Sequence, residues 1–156
     1  MVFVVDSADG AAGITKAAEY LHDVLLTLQK LRAGKNASSS SSGGTLRFLI
    51  ACNKNDLFTA LPAARVKAML EKEITRIRES RAKGLRDSGL AAAGAGAAAG
   101  SAEDVVDEEN EWLGEGGEGE FRMEMMEDVG VEVLVKGGSV EKGDCDLWRQ
   151  WLGSSL

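Results

Sequence analysis

Three short apolar runs, each followed by a turn and then a stretch of different period, constrain this chain more than any other feature. Met1–Asp6 reads MVFVVD, Thr45–Cys52 reads TLRFLIAC, and Val129, Val131, Val133 and Val135 alternate with Gly130, Glu132, Leu134 and Lys136. The first two runs are apolar on both faces, as strands covered by two layers are. After the first, Ile14, Ala17, Ala18, Leu21, Val24, Leu25, Leu28 and Leu31 recur every three or four residues. That spacing predicts an amphipathic helix of roughly five turns. Gly34 stands near its end, where glycine is favoured. Pro62 suits the first turn of a second helix, whose buried stripe is Val66, Met69, Leu70, Ile74 and Ile77. Phe121, Met123 and Met125 alternate with polar residues and predict a short edge segment. Asp144 or Asp146 can cap a last helix with Leu147, Trp148, Trp151 and Leu152 on one side.

The order strand, helix, strand, helix, insertion, strand, helix predicts an α/β fold with a parallel three-stranded sheet flanked by helices. Ligands of such sheets sit beyond the carboxyl ends of the strands. Here those ends are Asp6–Ser7, Asn53–Asp56 and Gly138–Ser139–Val140.

Two segments interrupt the pattern. Residues 35–44 read as a Ser/Gly linker. Residues 84–111 read as a long disordered insertion, Ala/Gly low complexity followed by an acidic run. Charge locates the second one sharply. Of a formal net −7, residues 103–128 alone hold 12 acidic side chains and one basic, Arg122. A solvated acidic loop explains that balance without a basic partner. Trp112–Leu113 marks the return of order, with Trp112 read as an anchor for the returning insertion. Two cysteines, Cys52 and Cys145, make neither a disulfide framework nor a zinc cluster. No apolar run is long enough to span a membrane, and no secretory leader is read. His22 and Cys52 read as buried structural residues.

Asn53-Lys54-Asn55-Asp56 follows the second strand and matches the Asn-Lys-x-Asp pattern of guanine recognition. The residue types suit the chemistry. An ionised Asp56 can accept two hydrogen bonds, from the guanine ring N–H and its exocyclic amine. Adenine presents a lone pair at the ring position, so the same carboxylate would face an acceptor. The Lys54 stem can cover the base while its ammonium stays in water. Asn53 can bridge loop backbone and base edge.

Further segments resemble one family. Val4-Val5-Asp6-Ser7 resembles the strand end before the third helix of Arf-like small GTPases. FVVDSAD at 3–9, Ala17-Ala18-Glu19-Tyr20-Leu21, LIACNKND at 49–56, TRIRESR at 75–81, Trp112-Leu113-Gly114 and VEVLVKGGSV at 131–140 together resemble signal recognition particle receptor beta subunits of fungal type. The resemblance implies a Ras-like G domain that binds GTP. It implies guanine binding by Asn53, Lys54 and Asp56, with Ser139 in the short loop whose backbone N–H groups meet the guanine carbonyl. It also implies an alpha-subunit partner, no nucleic acid, and a place on the cytosolic face of the endoplasmic reticulum membrane, held there by a segment missing from this sequence.

The sequence departs from that family in containing no G-x-x-x-x-G-K-[ST] and no D-x-x-G. The expectation is a partial G domain, the C-terminal half of a P-loop GTPase-like domain across residues 1–156, with its three strands matching the fourth, fifth and sixth. Guanine recognition is kept, the phosphate and Mg²⁺ half is lost, and no phosphoryl transfer or catalytic or metal residue is expected. The rival reading is a nucleotide-free interaction module. It would use as its docking surface the acidic loop together with the basic helix at 65–86, whose basic face is Arg65, Lys67, Lys72, Arg76, Arg78, Arg81 and Lys83. A piece of another Arf-like GTPase is a third reading.

Overall fold

The computed structural model describes residues 1–36, 44–87, 113–114 and 119–154. Three strands form one parallel sheet in the order β1-β2-β3: β1 is Val2–Asp6, β2 is Leu46–Asn53 and β3 is Val131–Gly137. Val2 pairs with Leu49 and Asp6 with Asn53. Leu46 pairs with Val131 and Cys52 with Gly137. This register brings all three carboxyl ends level at one edge of the sheet, as the sequence predicts.

Alternation along the strands divides the sheet into two faces. On one face Val5, Phe48, Ile50, Cys52 and Val131 are buried beneath two helices, α1 (Gly10–Asn36) and α2 (Ala63–Asp87). Helix α1 contributes Ile14, Ala18, Leu21, Leu25 and Leu28, and α2 contributes Val66, Leu70 and Ile74. Both stripes follow the spacing, except that Leu31, expected at the end of the α1 stripe, is exposed. Burying such side chains contributes about 1.5–3 kcal/mol each. On the opposite face Leu49 and Ala51 lie under Trp151 and Trp148 of the last helix. Trp151 is further held by the Arg47 guanidinium, 5.2 Å from its ring centroid. Trp148 donates its indole N–H to the Lys136 carbonyl at 3.1 Å.

Several element boundaries differ from expectation. Helix α1 runs through Gly34 to Asn36, so residues 35 and 36 are helical; 37–43 lie outside the described residues. Helix α2 takes in residues 84–87, leaving 88–111 and Trp112 outside them. The expected edge segment at 121–125 is instead a turn leading into a short helix, α3 (Met125–Asp128). Its backbone finds partners on α2 and not on the sheet. Phe121 N–H donates to Thr75 Oγ1 at 2.9 Å, and Met123 N–H to Glu71 Oε1 at 3.0 Å. Phe121, Met123 and Met126 then fill the core. Val129 closes α3, and Gly130, at φ +77°, turns the chain into β3. A side chain there would be strained.

The last helix, α4, is Asp146–Gly153. Cys145 occupies its cap position without a capping side-chain bond, so neither Asp144 nor Asp146 is the cap. Only Trp151 and Trp148 face the sheet; Leu147 and Leu152 are exposed. An eight-residue helix has room for one such ridge.

Besides Glu71, His22 and Arg78 are polar side chains buried on the α1–α2 side of the core. His22 is buried, its Nδ1 3.2 Å from Asp23 Oδ1, and Asp23 also accepts from Arg81 at 2.8 Å. Burial holds the imidazole below its usual range despite that carboxylate. Arg78, expected on a solvated basic face, is buried. Its guanidinium lies 5.8 Å from the Phe121 ring centroid and donates to the Gly119 carbonyl at 3.3 Å. The Phe121 turn, which covers it, gives no sign in the charge pattern.

Candidate functional site

The three strand ends are stitched into one polar surface. At the end of β1, Ser7 N–H donates to the Asn53 carbonyl at 3.0 Å, and Leu61 N–H returns to the Ser7 carbonyl at 2.9 Å. At the end of β3, Asn55 N–H donates to the Gly138 carbonyl at 3.1 Å, and Gly138 N–H to the Cys52 carbonyl at 3.0 Å. The loop after β2 is thereby held from both sides.

Each of the four predicted site residues falls on this surface. Asn53 accepts the Val140 N–H on its Oδ1 at 3.1 Å, tying the β2 loop to the β3 loop. Lys54 takes the left-handed backbone conformation at φ 63°, which non-glycine residues enter rarely. A turn follows, with Leu57 N–H on the Lys54 carbonyl at 3.1 Å. The Lys54 ammonium, expected free in water, instead lies 2.6 Å from Asp6 Oδ2, on a side chain 49% exposed. Each partner favours the other's charge: the Asp6 carboxyl is held low, first by Lys54 and then by the Ala8 N–H, and the Lys54 amine is held high by Asp6.

Asp56 keeps only 12% of its side chain exposed and lies 3.8 Å from Lys142 Nζ. A hydrogen bond from the Ser139 hydroxyl is the main reason its carboxyl sits below the usual range, with Lys142 adding to it. The Asp56 carboxylate is therefore ionised at neutral pH. Ser139 is itself fully buried. Its N–H donates to the Asp144 carbonyl at 2.8 Å and its hydroxyl accepts from Lys142 N–H at 3.3 Å. The amides of Ser139 and Val140 are thus satisfied within the chain, and Ser139 acts on Asp56 through its side chain.

Sequence reasoning misses three contributors. Asp6 stands out there only as a strand end; its register opposite Asn53 is what brings it to Lys54. Lys142 carries no pattern at all. Gly138 permits a close approach: a Cβ there would meet the Trp148 ring and the Asp144 carbonyl at 2.7 Å. Beyond the four residues, Phe58 is fully exposed beside the motif. Cys52 lies one residue before it, its thiol pushed up to about 11 by burial, and is inert at neutral pH.

The basic face of α2 is less open than its sequence suggests. Lys67 is paired with Glu124 and sits 3.9 Å from Glu71; Arg76 is 3.8 Å from Glu73; Arg81 bonds Asp23; Arg78 is buried. Those pairs leave a mixed-charge surface, weak support for docking through a basic face. No helix among the described residues is long and apolar enough to cross a membrane.

Comparison with known proteins agrees with the motif and the sheet. A family model described as signal recognition particle receptor beta subunit matches residues 1–129. The signal recognition particle receptor subunit beta of Saccharomyces cerevisiae is 30% identical over 156 residues, all of this chain and 54% of that protein. The receptor SRb-GTP/SRX complex from Chaetomium thermophilum superposes with a TM-score of 0.72 at 36% identity, covering 98% of this chain and 48% of that one. The SRb-GDP-Mg structure from the same organism gives 0.74 at 34% identity, covering 99% of this chain and 62% of that one. The chain thus spans about half the length of the curated relative it matches end to end. On its sequence and its fold alike, the chain belongs to the signal recognition particle receptor beta subunit family.

Proposed function

We propose that these 156 residues carry the guanine-recognition half of a GTP-binding receptor subunit. The observation that supports this most is the bond from Val140 N–H to Asn53 Oδ1 at 3.1 Å, with Lys142 Nζ 3.8 Å from Asp56 Oδ2. These contacts join the end of β3 to the motif after β2, and the reading sets two donors of one base edge against the ionised Asp56 carboxylate. Guanine supplies both donors. Adenine leaves one carboxylate lone pair facing another, and a buried acceptor without a donor costs about 1–3 kcal/mol. Asn53 locks the two loops together, and the Lys54 stem covers the base plane.

The donor set of the described residues fits the base. With no G-x-x-x-x-G-K-[ST] in the sequence, the proposal gives phosphate and Mg²⁺ contacts, and hence phosphoryl transfer, to none of these residues. When bound, the nucleotide would supply the base edge that these loops read. Relatives whose structures are those of GTP and of GDP-Mg complexes support the choice of ligand. The SRX complex of the Chaetomium relative supports a receptor alpha subunit as partner, and with it a role in holding that subunit at the endoplasmic reticulum membrane for protein targeting.

Asp56→Asn tests the reading. The carboxamide replaces one acceptor with a donor, so guanosine monophosphate should lose about tenfold or more in affinity. Xanthosine monophosphate, which carries a carbonyl where guanine carries its amine, should gain. Equal affinities of the variant and the parent chain for guanosine monophosphate would overturn the assignment.

A further inference from the structure

Asp6 lies outside the Asn-Lys-x-Asp motif, on a different strand, yet its Oδ2 comes to 2.6 Å from Lys54 Nζ, much closer than Lys142 comes to Asp56 at 3.8 Å. Its carboxylate is held at both ends. Oδ1 accepts the Ala8 N–H at 2.9 Å, and Oδ2 takes the ammonium. The first bond is to backbone two residues on, a local turn that fixes the carboxylate rotamer. The strand carrying Asp6 is itself registered against β2, with Asp6 opposite Asn53. The anchor is therefore rigid with respect to the sheet.

Lys54 is the opposite case. It stands in a turn, at φ 63°, with a long side chain that has many rotamers open to it when free. Left alone, its stem would sample many directions. An ammonium fixed to Asp6 pins the far end of that stem while the backbone pins the near end.

We infer that Asp6 is a positioning residue for base recognition: its carboxylate holds the Lys54 stem in the one direction that lets it cover a purine bound at Asp56. This rests on the guanine reading above and adds to it a residue from β1. It also assigns the Lys54 charge a use. The charge is there to be anchored, and the methylenes are there to touch the base.

Two measurements on the full chain test this. In titrations with guanosine monophosphate followed by NMR, Asp6→Ala should weaken binding about tenfold, and Asp6→Glu should recover part of the loss. Lys54→Met keeps a stem but removes the anchored charge. If Asp6 acts through Lys54, Asp6→Ala should add nothing in the Lys54→Met background. The second measurement follows the Lys54 side-chain signals without nucleotide. They should shift and sharpen in Asp6→Ala as the stem becomes mobile, with the fold checked by the unchanged amide spectrum of α1 and α2. An equal loss from Asp6→Ala on both backgrounds, or Lys54 signals indifferent to Asp6→Ala, would overturn the inference while leaving a guanine preference in place. A parent chain that binds adenosine and guanosine monophosphates equally would instead overturn the guanine reading, and the inference with it.

Discussion

The two faces of the sheet are built to different standards. Under α1 and α2 every strand is covered: Val5 of β1, Phe48 and Ile50 of β2 and Val131 of β3 are all buried. On the α4 side cover reaches β2 and β3 and stops. Val2 and Val4 of β1 share the face of Leu49 and Ala51 but remain 43% and 62% exposed. The outer edge of β1 has no neighbouring strand among the described residues. An amphipathic helix of 27 residues and one of 25 can close a sheet face; one helix of eight, presenting two tryptophans, closes part of one. The core, and with it most of the stability, therefore belongs to one face, while the bare valines of the other are a surface prone to association.

Substitution on each face should separate them. Phe48→Ala, at the centre of the covered face, should cost about 3–5 kcal/mol in chemical denaturation. Trp151→Ala, which removes the main cover of the other face together with its Arg47 contact, should cost about 3 kcal/mol. If Trp151→Ala cost more than Phe48→Ala, the ranking of the faces would be wrong.

A smaller effect belongs to His22 within the covered face. Its folded pKa is lowered from 6.5 by burial, so the unfolded chain takes up a proton first as pH falls. Stability should decline below about pH 6.5, by at most about 1.4 kcal/mol per pH unit. His22→Gln should flatten the pH dependence just below about 6.5. A slope unchanged by that substitution would place its origin elsewhere.

The smallest effect on folding is expected at the bare face. Val4→Thr should change stability by under about 0.5 kcal/mol while reducing self-association in sedimentation. A large loss of stability would mean that Val4 is covered in solution.

The covered face is legible in the sequence because helical spacing and strand alternation are statements about which atoms leave water. Ile14 to Leu28 and Val66 to Ile74 report burial directly. Arg78 is misread because burial of a guanidinium depends on what lands on it, here the Phe121 turn. The segment at 121–125 is misread for a related reason. Its alternation is real, but its partners are Thr75 and Glu71 side chains, and nothing in local sequence distinguishes those from a strand. At the site, the motif names Asn53, Lys54 and Asp56, and the resemblance adds Ser139. The Asp6–Lys54 pair lies beyond reach because it follows from register across two strands about fifty residues apart in sequence. Gly138 likewise needs the position of Trp148 to be understood.

If the ends of β2 and β3 read guanine, the amides of those loops should report it. Titration of the ¹⁵N-labelled chain with guanosine and adenosine monophosphates decides the matter at the residues themselves. The guanine nucleotide should move the amide signals of Asn53, Lys54, Asp56, Ser139 and Val140 at concentrations where the adenine nucleotide leaves them in place. Equal movement with both, or movement confined to α2, would contradict guanine recognition at these loops.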